Sequence, residues 1–241
     1  NRILARTMNV DLFDYVRTFK WDEFIKSITD TTDVNIKDDG GNYLIQYIIL
    51  YNNPQALNKI LPLNPLLNWL DLEGKTILFE PIKYNYIDTI NILLEHDKQQ
   101  IGENIVNIKD KYGNYPIHYA LIMNNKDVFE LLVTVCKLSI IDRNGNTIIH
   151  LIAKGKSITF LSDLLMSKIN INMVNNEGFT PLHLACIYDS NDIIQYFLDN
   201  KADPNIYEKN SMMSPIFVCL LNGNNEGVNK IFNCSIPYKI N

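Results

Sequence analysis

Apolar residues recur along the chain in short runs with helical spacing, and polar turns separate the runs. Residues 182–185 form one such run and residues 193–198 form the next. Thr180, just before the first run, offers a hydroxyl to the free N–H groups at a helix start, and Pro181 fits the first helical position, where its missing N–H costs nothing. The pattern therefore predicts two short helices joined by a turn.

The same layout returns at a nearly constant interval along the chain. A turn glycine precedes each clear copy, and the steps from Gly41 to Gly74, Gly113, Gly145 and Gly178 are 33, 39, 32 and 33 residues. Extra residues within 96–104 explain the single long step, because an insertion there lengthens a loop and leaves the repeat intact. With weaker copies at both ends, the spacing predicts about seven helix pairs.

The motif Thr180-Pro181-Leu182-His183-Leu184-Ala185, repeated with a period of about 33 residues, resembles the ankyrin repeat. The segment 202–205, Ala-Asp-Pro-Asn, is similar to the ending of that repeat. The resemblance implies an all-α solenoid of about seven stacked helix pairs with β-turn fingers. It predicts one domain over residues 1–241, with repeats at about 9–37, 38–70, 71–109, 110–141, 142–174, 175–207 and 208–241.

Composition narrows the classes of partner and compartment. A net charge of −5 disfavours binding to nucleic acid, which needs clustered Lys and Arg, and no apolar run approaches the length of a membrane span. Four cysteines without a pairing pattern indicate a reducing compartment, the cytoplasm or the nucleus. Asn and Ile make up about a quarter of the chain, as AT-rich coding sequences of a large DNA virus or a protist do. The first residue is not Met, which suggests a piece of a longer protein.

No group of residues points to catalysis, a cofactor or a metal. His118, His150 and His183 occupy one repeat position on successive helices, and helices that pack about 8–10 Å apart do not bring such imidazoles onto one ion. We expect these histidines to bind backbone groups. Cys186 and Cys219 are expected to be buried free thiols, because the same helix spacing is too wide for a disulfide. The aspartates that open each turn are expected to cap local N–H groups. The sequence predicts a protein that is not an enzyme and holds no cofactor.

The end of each first helix is the candidate partner-binding position. The resemblance implies that ligands lie in a concave groove lined by first helices and fingers, and the seventh and eighth residues after each helix start are unusually aromatic or apolar for a solvated face. Packing of these side chains on one another across repeats is the alternative. The candidate residues, with the finger residues beside them, are Phe19, Tyr51, Lys83, Tyr84, Lys111, Tyr112, Met123, Arg143, Lys154, Phe179, Ile187 and Tyr188.

The function that these features predict is a non-enzymatic adaptor that binds a protein or peptide in the groove. Basic residues in the middle fingers and aspartates near the N-terminal end predict a groove with opposite charges at its two ends, which would orient an extended peptide. Two alternatives remain. The first is that the chain is the targeting domain of a larger enzyme or of a ubiquitin-ligase adaptor. The second is that it is a structural assembly subunit. The sequence predicts no oligomeric state.

Overall fold

The computed structural model describes residues 12–98, 104–164 and 169–237. Regular structure in these ranges is helical, and β pairing is limited to one antiparallel bridge between Lys37 and Tyr43. The predicted all-α repeat fold is thereby confirmed. The chain divides into two compact units, residues 1–111 and 112–241. The repeat boundaries given above stay predictions.

The first unit contains three helix pairs in its described residues. Residues 12–17 are helical and form α1. The helices that follow are α2 (Trp21–Ser27), α3 (Leu44–Leu50), α4 (Pro54–Ile60), α5 (Phe79–Lys83) and α6 (Ile87–Asp97), with short 3-10 helices at Leu61–Leu63 and Ile105–Asn107. The insertion predicted within residues 96–104 falls largely on 99–103, which lie outside the described residues.

The second unit continues the pattern with four repeats. Each first helix is followed by a second element, and α10 packs against α9, α11 and α12. The helices are α7 (Pro116–Ile122), α8 (Lys126–Val133), α9 (Ile148–Gly155), α10 (Pro181–Ile187), α11 (Asn191–Asp199), α12 (Pro215–Leu221) and α13 (Asn225–Phe232), with a 3-10 helix at Ile158–Asp163 between α9 and α10.

The 3-10 helix corrects the expectation of a regular helix pair in the repeat after Asp142. Lys156 ends α9 in the left-handed conformation, with φ of 55°. Ser157, Ile158 and Thr159 follow, and serine and the two β-branched residues have low helix propensity. Phe160 nevertheless keeps this segment in the stack, because its ring is fully buried and lies 4.8 Å, centroid to centroid, from Phe129.

Helix starts follow from a reciprocal pair of hydrogen bonds. At the start of α10, the Thr180 hydroxyl accepts from the His183 N–H at 3.3 Å, and Nδ1 of His183 accepts from the Thr180 N–H at 3.1 Å. Thr147 N–H donates in the same way to Nδ1 of His150, at 3.1 Å. In the first unit Gln46 replaces the histidine, and its Oε1 accepts from the backbone N–H of Tyr43 at 2.5 Å. The expectation that the repeated histidines bind backbone is confirmed for His150 and His183.

The fingers, defined here as the turns that precede each first helix, are held by one acidic or amide side chain each. Asp142 Oδ1 accepts from the N–H groups of Asn144 and Asn146, both at 2.8 Å. Asp71 holds its own turn in the same way. The finger at 208–213 is one residue longer, and the longer side chain of Glu208 spans the difference to reach the Asn210 N–H. The turn role predicted for these carboxylates is confirmed.

Candidate protein-binding surface

Each complete first helix ends at a residue in the left-handed conformation, and this residue sets the register of the candidate position. It is Asn52 and Asn85 in the first unit and Asn124, Lys156, Asp189 and Gly223 in the second, with φ between 50° and 69°. Asn and Asp tolerate this conformation better than most residues do. The candidate side chains Tyr51, Tyr84, Met123 and Tyr188 each come one residue earlier, so the structure places them at equivalent positions in their repeats. We call these positions the first-helix ends.

Phe19 does not belong to that series. Its own φ is 58°, so it occupies the left-handed position of its repeat, and Thr18 occupies the first-helix end. The sequence-based register was therefore wrong by one residue here, because the first repeat lacks the Thr-Pro motif that fixes the numbering elsewhere. A phenylalanine in this conformation costs about 1–2 kcal/mol relative to the right-handed one. Its side chain is 59% exposed.

In the first unit, Tyr84 and Tyr51 differ in how far they are covered. The Tyr84 side chain is 48% exposed, stacks on Tyr86 with ring centroids 5.6 Å apart and lies 4.7 Å below the Lys83 ammonium group. Tyr51 is half-buried, and its ring lies 4.8 Å from that of Phe19. About half of the Tyr84 side chain is thus open to solvent, whereas part of the Tyr51 ring is used in packing across repeats.

In the second unit, the exposed aromatic and apolar candidates lie in its first repeat. Tyr112 is 46% exposed, and Met123 is also exposed next to Ile122. Tyr188 and Ile187 are half-buried. The side-chain amide of Asn222 donates to the Ile187 carbonyl oxygen at 3.2 Å, which ties this helix end to the following repeat.

The remaining candidates include exposed cations and one finger aromatic residue. Phe179 is half-buried, and its ring centroid lies 5.8 Å from that of His183. The Lys111 ammonium group lies 3.6 Å from a Glu73 carboxylate oxygen. Lys83, Lys111, Arg143 and Lys154 are all exposed.

A cluster around Arg17 was not predicted from the sequence. The Arg17 guanidinium lies 5.4 Å from the ring centroid of Phe13 and 5.2 Å from that of Tyr47, and it forms a salt bridge with Asp38. The Tyr47 hydroxyl donates to the same Asp38 carboxylate at 2.6 Å. Burial raises the pKa of Asp38, but these bonds and one from the Asn42 N–H together hold it below its usual value. The cluster neutralises one of the aspartates predicted to give the groove an acidic end.

A cavity of about 370 Å³ opens beside α3 and α5 in the first unit. We call it the Trp69 pocket; its wall includes Gln46, Ile49, Leu50, Trp69, Ile77 and Phe79. The Trp69 side chain is half-buried, and its indole N–H is fully buried and makes no hydrogen bond to any described residue. A buried donor without an acceptor costs about 1–3 kcal/mol. The sequence carries no signal for the pocket, because its residues come from two repeats and a loop.

Several titratable side chains of the described residues are buried. No group of three or more His, Cys, Asp and Glu side chains in those residues is placed to hold a metal ion. Burial lowers the pKa of both His150 and His183 to about 4, and Nε2 of each donates to a backbone carbonyl of the next finger. All four cysteines are free, and burial raises the pKa of Cys186 well above its usual value. None of the described helices has the length and hydropathy needed to cross a membrane.

Comparison with known proteins agrees with this architecture. The family model for ankyrin repeats matches residues 45–142, 117–208 and 150–240. Ankyrin repeat protein L371 of Acanthamoeba polyphaga mimivirus is 32% identical over 215 residues, which cover 87% of this chain. Ankyrin repeat protein FPV031 of Fowlpox virus is 30% identical over 64% of this chain. These relatives are consistent with the large DNA virus predicted from the composition.

Solved structures support the same fold. The ankyrin repeat protein EF0377 superposes with a TM-score of 0.69 at 18% identity, covering 85% of this chain and all of that one. An ankyrin repeat domain from Acinetobacter baumannii AYE gives a TM-score of 0.68 at 23% identity and covers 78% of this chain and 95% of that one. The chain spans 28% of the mimivirus relative and 46% of the fowlpox relative. Ankyrin repeats generally mediate interactions between proteins, and modules with this fold are typically not enzymes. The chain belongs to the ankyrin-repeat family.

Proposed function

We propose that this chain is a non-enzymatic adaptor that binds a protein or peptide through its first-helix ends and fingers. The observation that carries the proposal is the exposure of aromatic and apolar side chains there, Tyr84 in the first unit and Tyr112, Ile122 and Met123 in the second. Within each unit, exposed apolar side chains of this kind are typical of protein contacts. Tyrosine suits such a contact because it offers a large rigid area with a polar tip.

Charge and composition support a protein partner over nucleic acid or membrane. The net charge of −5 opposes binding to phosphate groups. Lys83 lies over the Tyr84 ring, where it covers apolar surface with its stem and presents a cation beside the anchor. Four free cysteines favour a reducing compartment, the cytoplasm or the nucleus.

A second candidate function is that of a targeting domain within a longer protein, such as an enzyme or ubiquitin-ligase adaptor. The lengths of the relatives favour it. The matched segment spans 28% of the mimivirus relative, and a segment 31% identical to this chain spans 15% of the nuclear factor NF-kappa-B p105 subunit of Rattus norvegicus. The contacts proposed here are the same in both cases. The role of a structural assembly subunit requires the first-helix ends to be buried against a second copy.

Replacing Tyr84 by alanine tests the proposal. We expect the free energy of unfolding to change by at most about 0.5 kcal/mol, the usual range for an exposed residue. Affinity for the partner recovered from the native source should fall by about 2 kcal/mol, as at an interface hot spot. The two quantities are measured by denaturant unfolding and by calorimetric titration of the purified pair.

Tyr51→Ala provides the contrast, and Phe232→Ala the control. The Tyr51→Ala variant is expected to lose both stability and affinity, because the Tyr51 ring contacts Phe19 and belongs to the proposed binding surface. Phe232 is exposed at the end of the second helix α13, and its loss should leave affinity unchanged. Unchanged affinity in folded Tyr84→Ala protein would remove the first-helix ends from the interface.

A further inference from the structure

The Trp69 pocket has the size and lining of a site for one large apolar side chain. Its volume of about 370 Å³ lies at the lower end of the roughly 300–1,000 Å³ range of ligand pockets. Ile49, Leu50, Ile77 and Phe79 make its wall predominantly apolar. Leu50 is 43% exposed at the mouth and immediately precedes the first-helix end at Tyr51, so the pocket adjoins the proposed binding surface.

We propose that this pocket receives a leucine or phenylalanine side chain of the partner protein, together with a carbonyl oxygen of the partner backbone. The inference rests on the proposed function, because it names the anchor residue of the same binding event. The apolar wall takes the side chain. The indole N–H of Trp69 takes the carbonyl oxygen.

The Trp69 N–H supports a carbonyl as the second element of the ligand. Indole nitrogen is a donor only, and this one has no acceptor among the described residues. It is already removed from water, so a ligand that supplies an acceptor gains the bond without dehydrating the donor. Neighbouring atoms shield the Trp69 N–H from water. A carbonyl oxygen of the ligand can therefore reach it only if the indole ring turns slightly or an adjacent side chain moves. The chemical shift of the Trp69 indole proton therefore reports whether a ligand occupies the pocket.

Charge at the pocket favours a basic residue next to the anchor. Asp71 and Glu80 are among the residues that line the pocket. The one lysine in the lining, Lys75, forms a salt bridge with Glu73, with nitrogen and oxygen 2.5 Å apart. A lysine or arginine beside the anchor complements this acidic edge.

The test is a nuclear magnetic resonance titration of the whole chain with blocked dipeptides. The chain contains two tryptophans, Trp21 and Trp69, so the nitrogen–proton spectrum shows two indole signals, which Trp21→Phe assigns. Acetyl-Lys-Leu-methylamide should shift the Trp69 signal saturably and leave the Trp21 signal in place. Acetyl-Lys-Gly-methylamide should bind at least about tenfold more weakly, since it lacks the side chain that the pocket buries. Acetyl-Glu-Leu-methylamide should bind several-fold more weakly.

Two variants with matched exposure serve as controls. Leu50→Glu places a charge at the pocket mouth and should abolish the shift, whereas Leu66→Glu, at a residue 44% exposed and outside the pocket, should preserve it. A Trp69 signal that does not move up to the solubility limit of the leucine peptide would overturn the proposal. So would equal shifts with the glycine peptide, or equal shifts of both indoles. Equal binding of the Glu-Leu and Lys-Leu peptides would overturn the basic neighbour alone.

The titration uses no partner protein, so its failure is separate from failure of the proposed function. If the dipeptides leave Trp69 unmoved while Tyr84→Ala still weakens the partner, the pocket assignment is wrong and the adaptor function stands. If the dipeptides bind at Trp69 while Tyr84→Ala has no effect on the partner, the binding surface must be redrawn around the pocket.

Discussion

Lowering the pH from 7 to 5 is expected to reduce the free energy of unfolding by about 2 kcal/mol for each of His150 and His183, about 4 kcal/mol in total. Burial holds the folded-state pKa of both near 4, whereas an unfolded histidine has its ordinary value of 6.5. Between these two values the unfolded chain binds more protons than the folded chain. The stability that the two neutral histidines contribute is therefore fully present above pH 6.5 and is lost as the pH falls towards 4.

Groups near the two imidazoles reduce this effect without reversing it. Asp142 faces His150 and Glu208 faces His183, and each carboxylate partly offsets the burial that lowers the histidine pKa. Hydrogen bonds from Ser211 and from the Asn210 N–H lower the pKa of Glu208 itself to about 2, so its own contribution is lost only below the pH 5 limit of this experiment.

The matched variant for the pH experiment is the double change His150→Gln and His183→Gln. Glutamine occupies the equivalent position in the first unit, where Gln46 accepts the same N–H bond. It does not titrate, so urea unfolding of the double variant should be nearly constant from pH 7 to 5 while the parent loses stability. Parallel curves for the two proteins would show that the histidines are not buried as neutral rings.

Replacing Gly178 by alanine is expected to cost about 3 kcal/mol of folding free energy. Gly178 has φ of +88°, a conformation that disfavours any side chain. A Cβ atom there would lie 2.8 Å from the backbone nitrogen of Lys209 in the next finger. Relief requires one finger to move away from the other, because the opposing atom belongs to the backbone.

Gly223→Ala in the same unit separates the two causes. Gly223 also has positive φ, +69°, but a Cβ atom there would meet nothing within 4 Å. Its replacement should cost about 1–2 kcal/mol, the conformational part alone. Thermal or urea unfolding measures both. Equal losses at the two glycines would contradict the close approach of neighbouring fingers.

Local features of the fold were predictable because they depend on residues close in sequence. Thr180, Pro181 and His183 set a helix start by themselves, and the copy around Thr147 repeats it. The spacing of the turn glycines predicted the repeat period for the same reason, because each glycine marks a turn within its own repeat. In the first repeat, which lacks the Thr-Pro motif, the predicted position of the first-helix end was wrong by one residue at Phe19.

Features that depend on contacts between repeats were not predictable. Nothing in the sequence separates Tyr84, which is exposed, from Tyr51, whose ring packs on Phe19, because both occupy the same helix position. The 3-10 helix at Ile158–Asp163 reflects weak local propensity that packing of Phe160 does not overcome. The Trp69 pocket arises from side chains of two repeats and a loop, and only their placement reveals it.

Position-dependent photocrosslinking tests the proposed binding surface most directly. A benzophenone side chain replaces Tyr84 at the first-helix end in one variant and Asn91, exposed on the second helix α6, in another. After irradiation in cells that make the native protein, the proposal predicts a discrete protein adduct from position 84 and little or none from position 91. Equal adducts from both positions, or an adduct from position 91 alone, would contradict it.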